Sequence, residues 1–171
     1  MKVNKAITVS FALLSMMALL VPIAFAPSPR SSPIVQQVTG GGWILRCTTY
    51  KCTFGFNAEE LEDGTLRGNV EYVDHGPFGG YDKGYPHVHG YEITALTIND
   101  RIANIEGICR LNGDNTPREF FVHVHDEGEP GKYDVFKIVI PSIDYDSGHR
   151  ELGFLGDAGG GGNIQIHRPA P

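Results

Sequence analysis

The chain is poor in the residues that mark familiar catalytic centres. Beyond residue 33 it has two serines, Ser142 and Ser147, and neither sits in a G-x-S-x-G elbow, so the hydrolase type of serine nucleophile has no place here. Its three cysteines, Cys47, Cys52 and Cys109, show no C-x-x-C spacing, which excludes zinc-ribbon and thioredoxin-like motifs. The glycine run 159–162 is followed by neither Lys-Ser/Thr nor a helical pattern, so it is not a phosphate loop. Positive charge is also scarce: 14 Lys and Arg face 20 Asp and Glu. Such a surface repels a phosphate backbone, so nucleic acid is not an expected partner. No repeat of 20 to 50 residues is visible, and beyond the N-terminal stretch no apolar run approaches the length of a membrane span.

What is present starts with that N-terminal stretch. Lys2 and Lys5 precede an apolar run from Ala6 to Leu20, then Pro22 and the small-x-small signature Ala24-Phe25-Ala26. The pattern predicts a signal peptide over residues 1–26, cleaved near Ala26, and a secreted or surface-held mature chain. An uncleaved anchor is the competing reading, although the run is shorter than the roughly 20 apolar residues a span needs. Cleavage removes two lysines, leaving 12 basic and 20 acidic residues and a net charge of −8. Residues 27–41, rich in Pro, Ser and Gly, read as a linker, 42–168 as one β-domain and 169–171 as a tail. In an exported chain, the four residues between Cys47 and Cys52 suit a hairpin tip closed by a disulfide. Cys109 is then a buried free thiol, with a bond from Cys109 to either of the others as the alternative.

After Trp43 strand signals dominate. Leu66, Val70 and Tyr72 alternate with polar residues; Tyr91, Ile93 and Ala95 form another row. Phe120, Val122 and Val124 fall on one face of a third segment, with Phe121, His123 and His125 on the other. Phe136, Ile138 and Ile140 follow, and then Ile164 and Ile166. This period of two marks half-buried strands. Turn clusters separate them at Glu62-Asp63-Gly64, Asn99-Asp100, Leu111–Asn115 and Glu129-Pro130-Gly131, the last expected as a type II turn with Gly131 at positive φ. The expectation is an all-β fold, an antiparallel β-sandwich or jelly-roll-like domain of about eight or nine strands. Within the linker, Ile34–Val38 reads as one isolated apolar strand.

Several motifs resemble a known family. Phe54-Gly55-Phe56-Asn57 behind a triple glycine and Trp43, Tyr72-Val73-Asp74-His75, Val88-His89-Gly90 and Ile105-Glu106-Gly107 resemble the start and middle of the bacterial and archaeal "post-COAP" type of secreted domain. Val124-His125-Asp126-Glu127-Gly128-Glu129-Pro130-Gly131 and Gly162-Asn163-Ile164-Gln165-Ile166-His167 resemble its strongest stretch and its end. The resemblance spans residues 40–168 and implies a small extracellular β-domain. It carries no established catalytic residues to transfer. Cys47, Cys52 and the glycine run depart from its pattern.

Two constellations could carry chemistry. His87 with His89, and His123 with His125, each place two imidazoles on one side of a strand. If the two pairs converge they offer a transition-metal site; otherwise they are exposed strand positions. Asp126, Glu129 and Asp134 surround a tight turn and offer the oxygen ligands calcium needs, with Asp74, Asp144 and Asp146 as further donors. The alternative is a turn in which Asp126 caps backbone amides. The expected function is therefore a secreted, non-enzymatic β-domain with a structural or adhesive role at the cell envelope. Its expected partner is a cell-surface component or another copy of itself, joined by residues 33–38 adding to a neighbour's sheet edge, with a flexible tether as the alternative reading of that segment. A calcium- or transition-metal-binding module is the alternative, and a secreted enzyme ranks behind both.

Overall fold

In the computed structural model, residues 32–77, 86–153 and 160–167 are described. The expected signal peptide, residues 27–31 of the expected linker and the expected tail 169–171 lie outside them. Ten strands follow in order: β1 Ile34–Arg46, β2 Tyr50–Leu61, β3 Leu66–Asp74, β4 His87–Asn99, β5 Ile102–Leu111, β6 Asp114–His125, β7 Val135–Ile140, β8 Tyr145–Asp146, β9 Arg150–Glu151 and β10 Gly160–His167. One 3₁₀ turn, Pro141–Ile143, links β7 to β8.

The fold is all-β, as the alternation predicts. The strands do not divide into two hydrogen-bonded sheets. They form one antiparallel sheet in the order β10-β1-β2-β3-β4-β5-β6-β7-β8, with β9 on β7 beyond β8, and the sheet curls into a half-barrel. The curl brings distant strands face to face. Phe54 of β2 stacks on Phe136 of β7 at 4.0 Å between centroids, and Tyr72 of β3 meets Tyr145 of β8. Tyr72, Phe120, Phe136, Ile138, Ile140 and Ile164 are among the side chains that fill this interior. A long sheet that curls hides one face from water without needing a second sheet.

Local chemistry explains the hairpins. β5 and β6 are joined by Asn112-Gly113, both at positive φ (52° and 76°), the signature of a two-residue type I′ turn. Asp100 at φ 52° begins the β4–β5 turn. The turn at Glu129-Pro130-Gly131 has Gly131 at positive φ (59°) as expected but differs in type. Its hydrogen bond runs from the Gly131 amide to the Gly128 carbonyl at 2.9 Å and the Glu129–Pro130 peptide is cis, so proline occupies the third position of a type VI turn.

Two further expectations are corrected. Residues 34–41 are not linker: they are the first part of β1, paired on one side with β2 and, from Gln37 onward, on the other with β10. The glycines there serve close approach rather than slack. A Cβ on Gly40 would lie 2.6 Å from the Phe56 ring, and one on Gly42 would lie 2.1 Å from the Gly161 carbonyl. Likewise the last strand starts at Gly160, within the glycine run. Finally, Cys47 and Cys52 are not bonded; all three cysteines are free. Cys47 sits exposed at the hairpin tip, whereas Cys52 is buried and pairs across to Ile44. Three residues of strand, about 10 Å at about 3.3 Å each, separate Ile44 from Cys47, beyond the Cα separation of about 4.4–6.8 Å that a disulfide spans.

Candidate functional site

The acidic loop between β6 and β7 lies against the free edge of β10. Asp134 is completely buried, and its carboxylate accepts the Ile164 amide at 2.7 Å and the Glu127 amide at 2.9 Å. Asp126 accepts the Ile166 amide at 2.8 Å and the Gly128 amide at 3.0 Å. Glu129 accepts the side-chain amides of Asn163 at 2.8 Å and Gln165 at 3.0 Å. Ile164 and Ile166 are alternate residues on one strand, so their amides point the same way. The two aspartates take the place of the carbonyls a neighbouring strand would present. The structure thus brings together Asp126, Glu129 and Asp134, and it uses their oxygens to clasp β10 across the open side of the curl. Burial pushes the Asp134 carboxyl above its ordinary value; the Ile164 and Glu127 amides pull the other way, and Asp126 and Glu129 add to the rise. The further acidic donors expected for this turn lie elsewhere. Asp144 ends the 3₁₀ turn in the left-handed region, and Asp146 pairs with Lys137 at 2.9 Å.

Asp74, also considered as an oxygen donor, is fully buried inside the curl. It accepts from Arg46 Nε, from the Tyr145 hydroxyl at 2.8 Å and from the Gly76 amide at 2.8 Å. Tyr145 in turn meets the Tyr72 hydroxyl, and Arg46 also donates to the Pro77 carbonyl at 3.0 Å. Burial works against the Arg46 charge, but the hydrogen bond and attraction of Asp74 outweigh it and hold the guanidinium protonated. Burial pushes the tyrosine hydroxyls up, and the Cys52 thiol to about 11, so this thiol is inert at neutral pH. Cys109 is held at about 11 by burial as well. The network ties the β1–β2 hairpin to β8 across the interior.

The two histidine pairs do not converge. His89 stands opposite Arg110 of β5 and His123 opposite Asn104 of the same strand. Six residues of strand put them about 20 Å apart at about 3.3 Å per residue. Their surroundings differ too. His89 Nδ1 contacts Glu71 of β3, and His87 Nε2 lies 3.6 Å from the same carboxylate. His123 and His125 instead face each other, Nε2 to Nε2 at 2.9 Å. A third ring, His149, stands perpendicular to His123 at 5.0 Å between centroids and 6.5 Å from His125. Nothing in the sequence ties the His149 loop to β6. Among the described residues, no three His, Cys, Asp or Glu side chains already surround a common metal position, and no helix is long and apolar enough to cross a membrane.

No family model, curated protein or solved structure matches the chain.

Proposed function

We propose that this protein is a secreted, non-enzymatic β-domain with a structural or adhesive role at the cell envelope. One observation carries the reading: the acidic turn that could have held a ligand uses its carboxylates to clasp the last strand, so the most conspicuous polar chemistry of the chain serves shape. The signal-peptide pattern in residues 1–26 supports export, and the post-COAP resemblance supports an extracellular β-domain. The managed edges add to this. β8 is two residues long and the Ile164 and Ile166 amides on the β10 edge are covered, which are the devices that keep a long sheet from pairing with its neighbours. Residues 33–38, expected as a strand donated to another copy, pair within their own sheet from Ile34 onward, so an envelope partner is favoured over self-polymerisation.

Cell fractionation of the expressed full chain, followed by co-sedimentation of the purified mature protein with isolated envelopes, tests the proposal. Export and saturable co-sedimentation are expected. Retention in the cytosol, or no co-sedimentation at any concentration, overturns it.

A further inference from the structure

The end of β6 carries an arrangement that an envelope role does not explain. Asn104 Oδ1 lies 2.6 Å from His123 Nδ1. A carbonyl oxygen only accepts, so Nδ1 carries the proton and Nε2 of the neutral ring is a bare lone pair. His125 Nδ1 faces the Glu127 carboxylate at 3.6 Å, which favours the same tautomer there. With both rings in that tautomer, two Nε2 lone pairs meet at 2.9 Å. Two lone pairs repel at that distance unless something positive sits with them.

We propose that His123 and His125 are the chelating pair of a surface site for a late first-row divalent cation, copper(II) or nickel(II) before zinc, with His149 as the third imidazole at its rim.

The choice of metal follows from type and spacing. Imidazole suits zinc, copper and nickel. Two nitrogens about 2.05 Å from one ion and about 90° apart stand about 2.9 Å from each other, the edge of a square-planar or tetragonal site rather than of the wider tetrahedral one. Rotation of the rings about their Cβ–Cγ bonds aims both lone pairs at one ion, and water completes the shell. Asn104 fixes the His123 tautomer from the neighbouring strand, as outer partners of metal-bound histidines do. A proton is the competitor for the same place. Of the charges facing the cluster, Lys137 is paired with Asp146 at 2.9 Å and Glu127 with Arg101 at 3.4 Å.

The test uses the mature protein without a histidine tag, titrated with copper(II) or nickel(II) chloride in a weakly coordinating buffer. One equivalent of copper is expected, with nitrogen splitting in its electron paramagnetic resonance spectrum. His123→Ala or His125→Ala should each weaken binding more than about tenfold and remove one coupled nitrogen. Asn104→Ala should weaken it by about tenfold while leaving the set of coupled nitrogens unchanged, as expected of a positioning residue. His149→Ala should have a smaller effect, and His87→Ala and His89→Ala none. If an alanine variant fails to fold, His125→Gln, which keeps bulk and polarity, decides the matter. Wild-type protein that melts normally and binds no copper overturns the site and leaves a proton shared between the rings. Uptake unchanged in the His123 and His125 variants, or lost only in those of His87 or His89, overturns it as well. Co-sedimentation of metal-free protein with envelopes is expected to persist, so this site and the envelope role can fail separately.

Discussion

His123–His125 and Asp126–Asp134 adjoin in the chain, and both present side chains that bind metals elsewhere. In the structure they part company. The acidic stretch turns towards β10, where backbone amides of Ile164 and Ile166 take up its carboxylates. The histidine stretch stays on the outer face of β6, where its neighbours are Asn104, His149 and each other. Residue type is the same kind of signal in both stretches. What differs is the unsatisfied partner each one meets: a bare strand edge in one case, another imidazole in the other.

The contrast breaks most visibly at Asp134. Asp134→Ala leaves the Ile164 and Glu127 amides without their acceptor and should cost about 2–4 kcal/mol in urea unfolding. A loss below about 0.5 kcal/mol would show that the clasp does not hold the seam. Asp126→Asn keeps one acceptor oxygen and should cost about 1 kcal/mol, with faster hydrogen exchange at Ile166 as the local readout. Unchanged exchange there would remove Asp126 from the clasp.

Acid sharpens the contrast further. The Asp134 carboxyl is raised above its ordinary value of 3.8, so between that value and its folded one the native state holds a proton the unfolded chain has released. As pH falls through this window, Asp134 adds stability relative to neutral pH. Asp146 behaves oppositely: burial raises it, but Lys137 and the Gly148 amide bring it below 3.8, and its contribution is lost as pH falls through its folded value. Asp134→Asn should therefore lose stability more steeply than wild type as pH falls towards 3.8 in parallel urea titrations. Parallel curves would contradict this. The smallest effect is expected from calcium removal. A chelator should move the melting temperature of the mature protein by less than about 1 °C, because amides already occupy the loop oxygens. A clear drop would return the loop to the calcium reading.

Much of the architecture was legible from alternation. The inward rows at Phe120, Val122 and Val124 and at Phe136, Ile138 and Ile140 are buried as their period of two requires. On β4 the phase slips. Tyr91 was expected inside and is exposed, while Ile93 and Leu96, three apart, are both buried. Register shifts at Gly90/Glu92 and Ile93/Ala95 cause it, because each bulge moves the later side chains to the other face. The triple glycine was misread since composition cannot tell slack from close packing. The clasp was invisible for another reason: its bonds join residues 30 and 40 apart in the chain, and only the curl of the whole sheet brings them together. The histidine cluster was half legible. Period two showed the His123–His125 pair, but His149 reaches it by a tertiary contact.

The pairing of β1 with β10 has a mechanical consequence. The strands are antiparallel, and Gln37 near the start of β1 lies opposite His167 at the end of β10. A pull applied through the chain before Ile34 and after His167 therefore loads the same end of the ladder. Its hydrogen bonds open one after another, like a zipper, instead of resisting together in shear. A domain stretched between both termini would yield at low force, so any load this protein bears at a surface is better carried through one terminus and the face of the sheet.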